Sequence, residues 1–497
     1  MTVAQLQAGM ESGRFTAVSL TKKYLGRIDE IDKHGPSLNA VIELNRDAVA
    51  IAHALDGERN AKGARSPLHG IPILIKDNLD THDRMSTTAG SLALAGSIPL
   101  RDSFVVQKLR EAGAVILGKT NLSEWANFRS SHSTSGWSGR GGLTHNPYAL
   151  DRNPSGSSSG SAVAVSASLC PVAIGTETDG SILSPSSVNG IVGIKPTVGL
   201  VSRAGIIPIA HTQDTAGPMG RTVTDAAILL GVLTGQDPRD ATTALSEGKA
   251  YRDYTQFLKA DGLRGARLGV ARKFFGSHAE ADKLMETAIG EMKRLGAEII
   301  DPADLSTHGK FGGAEFEVLL YEFKADLTAY LEGLGANAPV RTLKEIIEFN
   351  ERNPRREMPH FAQETFLKAE AKGPLTEKGY LEAREKCRRL SRDEGIDALM
   401  TKHNLDALLA PTTGPAHLTD LVYGDRGIGG STSPAAMAGY PSITVPLGFI
   451  AGLPVGISFF GPAYSEPILL KLAFAFEQAT KVRKAPRFLP KTVEIAP

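Results

Sequence analysis

Residues 154–197 read PSGSSSGSAVAVSASLCPVAIGTETDGSILSPSSVNGIVGIKPT. Seven positions, Ser155–Ser161, hold five serines and two glycines, and a small-residue apolar run follows them. A second polar knot occupies Thr176–Ser187. Glycine lets backbone approach backbone or ligand, and flanking serines place hydroxyls where N–H groups converge. A flexible Gly/Ser linker would not run into Ala162–Leu169 and Pro171–Ile174, which read as a buried helix and a buried strand. Ser157 and Ser181 stand 24 residues apart across that helix and strand. Such a spacing folds their two loops against each other at one end of a sheet.

Other chemistries fit the stretch less well. Gly156–Gly160 matches the Gly-x-Ser-x-Gly nucleophile elbow around Ser158, with His403 or His417 as a base, but that elbow needs a strand immediately before it. The preceding HNPYALDRNP (His145–Pro154) has two prolines and no strand pattern. GAVILGKT (Gly113–Thr120) matches a phosphate-binding loop in letters only, because its middle is an apolar strand. Ser19-Leu-Thr-Lys22 matches Ser-x-x-Lys, but lies on an ordinary amphipathic helix without a Lys-Thr-Gly partner. A serine hydroxyl needs a base to become a good nucleophile. GIPILIKDN (Gly70–Asn78) ends the run Ile73, Leu74, Ile75 at Lys76, the polar end of a buried strand. On that segment alone, a snorkelling lysine at a strand edge is the simpler reading. The 12 histidines are scattered with no His-Glu-x-x-His and no Cys/His cluster. His132, His145 and His417 fall in segments expected to rim a pocket, in structural or solvent-facing roles.

Six motifs in order carry a resemblance: GIPILIKDN, GKTNLSEWAN (Gly118–Asn127), THNPY, GSSSGSAVAV, GTETDGSI (Gly175–Ile182) and GIVGIKPT (Gly190–Thr197). They resemble the amidase signature family, over a span from about Leu6 to Gln478. NLSEWANFR, SGWSGRGG, GTETDGS, LLYEFKA (Leu319–Ala325) and APTTG (Ala410–Gly414) are similar to its bacterial peptide amidases. The resemblance implies Ser181 as nucleophile, Ser157 as a bridging serine that follows a cis peptide, and Lys76 as base. It also implies an oxyanion hole from the backbone N–H groups of Thr178, Asp179, Gly180 and Ser181. The commonest family pattern, Thr-Asp-x-Gly-Gly-Ser-x-Arg, is departed from: Glu177 and Leu183 replace its acid–arginine pair, and one glycine precedes Ser181. The implied reaction is hydrolysis of the C-terminal amide of peptides, releasing ammonia. A general aliphatic or aryl amidase, and the glutaminase subunit of a tRNA-dependent amidotransferase, are the alternatives within the family. Expected pocket residues are Trp125, Asn127, Ser131, Ser158, Thr412 and Thr413, with the 314–370 helices as a wall for the peptide. No metal and no cofactor is called for.

The chain has 497 residues, 41% hydrophobic and 22% charged, ordinary for a globular enzyme with a large core. Its formal charge of +1 argues against nucleic acid or an anionic membrane as partner, and a monomer acting on a small or peptide amide is expected. Cys170 and Cys387 lie far apart and read as free thiols. Met1–Met10 has neither a basic nor an apolar leader segment, so a cytoplasmic chain is expected, or a periplasmic one if a leader was removed. From Ile71, strands alternate with helices, predicting an α/β fold with a large mixed, mostly parallel sheet covered by helices on both faces. Residues 1–65 read as helical, 66–250 and 396–497 as the α/β core of a single domain, and 255–395 as a mostly helical insertion. Ser123–Ala126 reads as a short helix, and Thr212–Thr222 as a threonine-rich loop capping the helix Val223–Leu233.

Overall fold

The computed structural model describes residues 1–336 and 338–492. At its centre is one sheet of eleven strands. In chain order these are β1 (Val41–Leu44), β2 (Pro72–Lys76), β3 (Val115–Thr120), β4 (Val172–Glu177), β5 (Val192–Lys195), β6 (Thr215–Gly220), β7 (Arg267–Val270), β8 (Glu298–Ile300), β9 (Ala407–Pro411), β10 (Ser442–Ile450) and β11 (Leu453–Phe460). Across the sheet they run β1-β3-β2-β4-β6-β5-β10-β11-β9-β7-β8.

The sheet is mixed and helix-covered, as the alternating pattern predicts, but it is not mostly parallel. Six neighbouring pairs are antiparallel and four are parallel. The parallel pairs lie in two groups, β3-β2-β4 and β9-β7-β8. Short connections account for part of the rest. Ala451-Gly452 joins β10 to β11 with φ of +50° and +81°, a two-residue turn that only antiparallel neighbours can use. The other contributor is β6, Thr-Ala-Gly-Pro-Met-Gly, which reads as a loop and is in fact a central strand. Its glycines are there for clearance, since a Cβ on Gly217 would stand 2.1 Å from the carbonyl oxygen of Ile194.

Burial follows the two-residue period of a strand covered on both sides. Ile73 and Ile75 of β2, Ile116 of β3 and Val172 and Ile174 of β4 enter one core, beneath the helices Phe104–Glu111 and Val223–Leu233. Leu74, Val115, Leu117 and Ala173 enter the core on the opposite face, with the helix Ser159–Ser166. That helix is wholly buried and made of small residues because the backbone crowds it: a Cβ on Gly160 would meet the carbonyl oxygen of Ala40 at 2.3 Å. Thr16 and Thr222 cap their helices through hydroxyls that accept from the N–H groups of Ser19 and Asp225, each worth about 1 kcal/mol.

Residues 255–395 are largely helical, yet they also supply β7 and β8 to the shared sheet. Phe323, Leu327, Leu331, Ile346 and Phe366 from this segment form a third core with Trp125, Phe128, Ile207 and Ile209. The segment is therefore packed against the end of the sheet where the serines lie. Cys170 and Cys387 are both unpaired thiols. No helix among the described residues is long and apolar enough to cross a membrane.

Candidate active site

Strands β2 and β4 are parallel neighbours, with Ile75 beside Ile174, so their carboxyl ends finish together. Open α/β sheets place their ligand sites at such ends. Lys76 closes β2 and Thr176-Glu177 closes β4. The Lys76 amine is fully buried and lies 2.7 Å from Ser157 Oγ, 2.8 Å from Thr176 Oγ1 and 3.3 Å from the Thr176 carbonyl oxygen. Asn78 Nδ2 donates to the same Thr176 hydroxyl at 3.0 Å. Burial lowers the Lys76 pKa to about 7, against the opposing pull of Asp214 and Glu177.

These contacts suit a neutral amine. Its two N–H bonds go to the carbonyl and hydroxyl of Thr176, leaving the lone pair for the Ser157 proton. Ser157 is buried and follows a cis peptide from Gly156. Ser181 sits in the turn after β4, with its carbonyl accepting from the N–H of Ser158 at 3.1 Å. The two serine loops are thus joined by backbone.

The turn from Thr178 to Ser181 is held from outside. Thr178 Oγ1 donates to Asp214 Oδ1 at 2.5 Å, and Asp179 accepts from Thr432 Oγ1 at 2.6 Å and Ser433 Oγ at 2.5 Å. Glu177 Oε2 accepts from the N–H groups of Ile182 at 2.7 Å and Leu183 at 2.9 Å, closing the turn from below. Burial raises the Glu177 pKa, and the charge of the buried Lys195 opposes the rise. Among the described residues, the N–H groups of Thr178, Asp179, Gly180 and Ser181 have no acceptor within the protein. Unsatisfied N–H groups of this kind are what an anionic oxygen would need.

Cavities open on both sides of this turn. One, of about 370 Å³, is mostly apolar and touches Thr176 and Thr178, with Ala126, Ile207 and Tyr330 on its walls and His211 on its rim. The other, of about 290 Å³, is polar and touches Gly156, Asp179 and Gly180, with Asn127, Thr413 and Asp425 around it.

Several expected pocket residues lie elsewhere. Ser158 is buried behind the site, its hydroxyl donating to the Thr176 carbonyl at 3.0 Å and accepting from the Thr176 N–H at 3.1 Å. Its hydroxyl is used up on backbone, which also removes it as an elbow nucleophile. Thr412 bonds to Thr444 and Ser458 across the sheet, at 2.7 and 2.9 Å. Ser131 is exposed and donates to Glu364 at 2.9 Å, away from both cavities. Trp125 is buried edge-on against Phe366. Asn127 and Thr413 do line the polar cavity. The expected helix at Ser123–Ala126 is a left-handed turn instead, with φ of +51°, +53° and +74° at Trp125, Ala126 and Asn127.

Sequence reading missed Thr176, Asp214 and Tyr330. The first two lie inside segments quoted for other reasons, whereas nothing local marks Tyr330. It also could not bring His211, Glu322 and Asp326 together, although ligand atoms of these three lie within 4.8 Å of one another. Here both ring nitrogens of His211 face carboxylates, Nδ1 at 2.9 Å from Asp326 and Nε2 at 3.5 Å from Glu322. Side-chain hydrogen bonding to Asp326 and the charges of Glu322 and Asp326 outweigh burial and raise the pKa of His211. That is the signature of a paired imidazolium.

The sequence model of the amidase family matches residues 19–470. The chain belongs to the amidase family. This amidase is 51% identical to the peptide amidase from Stenotrophomonas maltophilia, whose crystal structure superposes with a TM-score of 0.94 over 98% of each chain. A probable amidase of Arabidopsis thaliana is 45% identical over 98% of this chain and 91% of its own. A glutamyl-tRNA(Gln) amidotransferase subunit from Thermoanaerobacter pseudethanolicus is 32% identical over 98% of both. The amidase is accordingly a hydrolase of amide C–N bonds, with the fold of the peptide amidase structures.

Proposed function

We propose that this amidase removes the C-terminal amide of peptides through a Lys76–Ser157–Ser181 relay. The observation that carries the relay is the buried Lys76 amine, near half-neutral at pH 7 and 2.7 Å from Ser157 Oγ. Neutral Lys76 takes the Ser157 proton while Ser157 takes that of Ser181, and Ser181 attacks the amide carbon. The oxygen that becomes negative rests against the N–H groups of Thr178–Ser181. The proton returns through Ser157 to the departing nitrogen, which leaves as ammonia, and water hydrolyses the acyl-enzyme by the same route.

The substrate reading is supported by the 51% identity to a peptide amidase against 32% to a chain of an amidotransferase. It is also supported by the apolar cavity, whose Ile207 and Tyr330 suit the side chain of a terminal residue. A dipeptide amide, free glutamine, an aryl amide and the same peptide extended by one residue separate the candidates. Ammonia from the dipeptide amide with the extended peptide intact is expected. Faster release from glutamine, or cleavage of the extended peptide, overturns the substrate assignment and leaves the relay standing.

A further inference from the structure

The left-handed turn at Trp125–Asn127 separates the two cavities, with Ala126 in the apolar one and Asn127 in the polar one. Of these three residues only asparagine adopts that conformation cheaply, so the turn must be held by its surroundings. It is also tied to the relay, because the N–H of Ser123 donates to the carbonyl of Ser157 at 3.1 Å. The groups that hold it are Glu124 and Arg129 on its two sides and Glu357, which arrives from the helical segment. All three are buried.

Arg129 Nε lies 3.1 Å from Glu124 Oε1, and Arg129 Nη1 donates to the carbonyl of Glu357 at 2.6 Å. The guanidinium is also covered by the rings of Phe361 at 4.3 Å and Trp137 at 5.6 Å. Glu124 Oε2 accepts from the N–H of Gly139 at 2.5 Å. Glu357 Oε1 accepts from the N–H of Leu92 at 2.6 Å and faces Ser91 Oγ at 3.4 Å. Glu357 Oε2 has no partner, yet it and Glu124 Oε2 both lie within 3 Å of the point where a Cβ on Gly139 would stand. Two ionised carboxylates here would leave one unbalanced charge in a buried site, with Arg129 the cation facing them among the described residues. One proton between them neutralises the cluster and gives Glu357 Oε2 its missing bond.

We propose that Glu124 and Glu357 share a single proton under Arg129, and that this pair is a positioning element holding Ser123–Asn127 against Ser157. The inference rests on the relay reading for its effect on catalysis, though not for the proton itself. Burial raises both carboxyls, Glu124 well above the usual carboxylate range with the Glu357 charge adding to its rise, while backbone and side-chain hydrogen bonds, that with Glu124 among them, temper the rise of Glu357. His360 stands behind Trp137, ring to ring at 5.4 Å.

The chain has two tryptophans, Trp125 and Trp137, and both border this cluster. Intrinsic fluorescence therefore reads it without substrate. As the pH is raised above the ordinary carboxylate range, the wild type is expected to show a transition as the pair loses its proton, with turnover falling at the same midpoint. Glu357→Gln supplies an amide hydrogen in place of the shared proton. It should keep turnover within a factor of a few, and lose both the fluorescence transition and the alkaline fall. The Glu124→Gln/Glu357→Gln double variant leaves Arg129 uncompensated and should lose about tenfold or more in turnover at every pH. A single Gln variant that keeps the transition, or a double variant as active as wild type, overturns the shared proton. Because fluorescence needs no substrate and turnover can be followed with any amide that is cleaved, failure of the peptide assignment does not touch this test.

Discussion

Replacing Lys76 by methionine removes the proposed base, keeps the volume, and exposes a cost that the native lysine carries. Burial lowers its pKa from the ordinary 10.5 to about 7. Between those values the unfolded chain holds a proton that the folded one has released, so lysine-dependent stability rises with pH across that window and is lost as pH falls through it. The full cost is about 5 kcal/mol, nearly all of it present at pH 6, with about 2 kcal/mol left at pH 9. Methionine has nothing to titrate. Its lost contacts to Ser157 and Thr176 weigh the same at both pH values, and all other groups titrate in both proteins. The stability difference between Lys76→Met and wild type should therefore favour the variant by about 2–3 kcal/mol more at pH 6 than at pH 9. Urea unfolding of both proteins at a series of pH values measures it. A difference that does not change with pH would refute a depressed amine, and a change of opposite sign would mean a charged lysine stabilised by Asp214 and Glu177. The variant should in either case be inactive, because nothing else takes the Ser157 proton.

In the wild type, kcat/KM should fall about tenfold per pH unit below a midpoint near 7, and a flat profile down to about pH 5.5 would exclude Lys76 as the base. Asp214→Asn should move that midpoint to lower pH, since the Asp214 charge favours the protonated amine; a shift to higher pH contradicts the assigned electrostatics. Ser158→Ala should cost about 1–3 kcal/mol of stability by leaving the Thr176 N–H without its partner, while a serine-directed phosphonate still labels Ser181; an adduct on Ser158 in the wild type would sink the relay. Activity should survive EDTA, and a loss restored by zinc would instead give the His211, Glu322 and Asp326 group a catalytic role.

Lys76, Ser157 and Ser181 were singled out together by the resemblance, since local pattern alone left Lys76 as a snorkelling lysine at a strand end and Ser157 as one serine among five in the loop before the helix Ser159–Ser166. Strand Pro72–Lys76 was legible because its apolar run, Ile73–Ile75, is short and ends sharply at Lys76. The strand Thr215–Gly220 was not, since two glycines and a proline are the letters of a turn, and only the crowding by Ile194 explains them. Trp125 and Ser131 looked like pocket residues because they flank Asn127 in the chain. Three left-handed residues turn the chain there, carrying Trp125 into a core and Ser131 to the surface. Hydroxyls were the hardest to read. Ser157, Ser158, Thr412 and Thr413 look alike in sequence, and only the surrounding backbone shows which have spent their hydrogen bonds on structure.

The mixed topology bears directly on the chemistry. Two parallel strands, β2 and β4, bring Lys76 and the Thr178–Ser181 turn to one end without a strand between them. β6 runs antiparallel to β4 with Thr215 opposite Glu177, so the residue just before it, Asp214, starts where β4 ends. A parallel strand in that place would have delivered its last residues there. The antiparallel one delivers its first, and with it a carboxylate that pins Thr178 and pulls against the desolvation of Lys76. The amine is thereby left near half-protonated at neutral pH, the balance that the proposed relay needs to take a proton from Ser157 and give it back. A wholly parallel sheet would supply the lysine and the serines but not the charge that sets their proton balance.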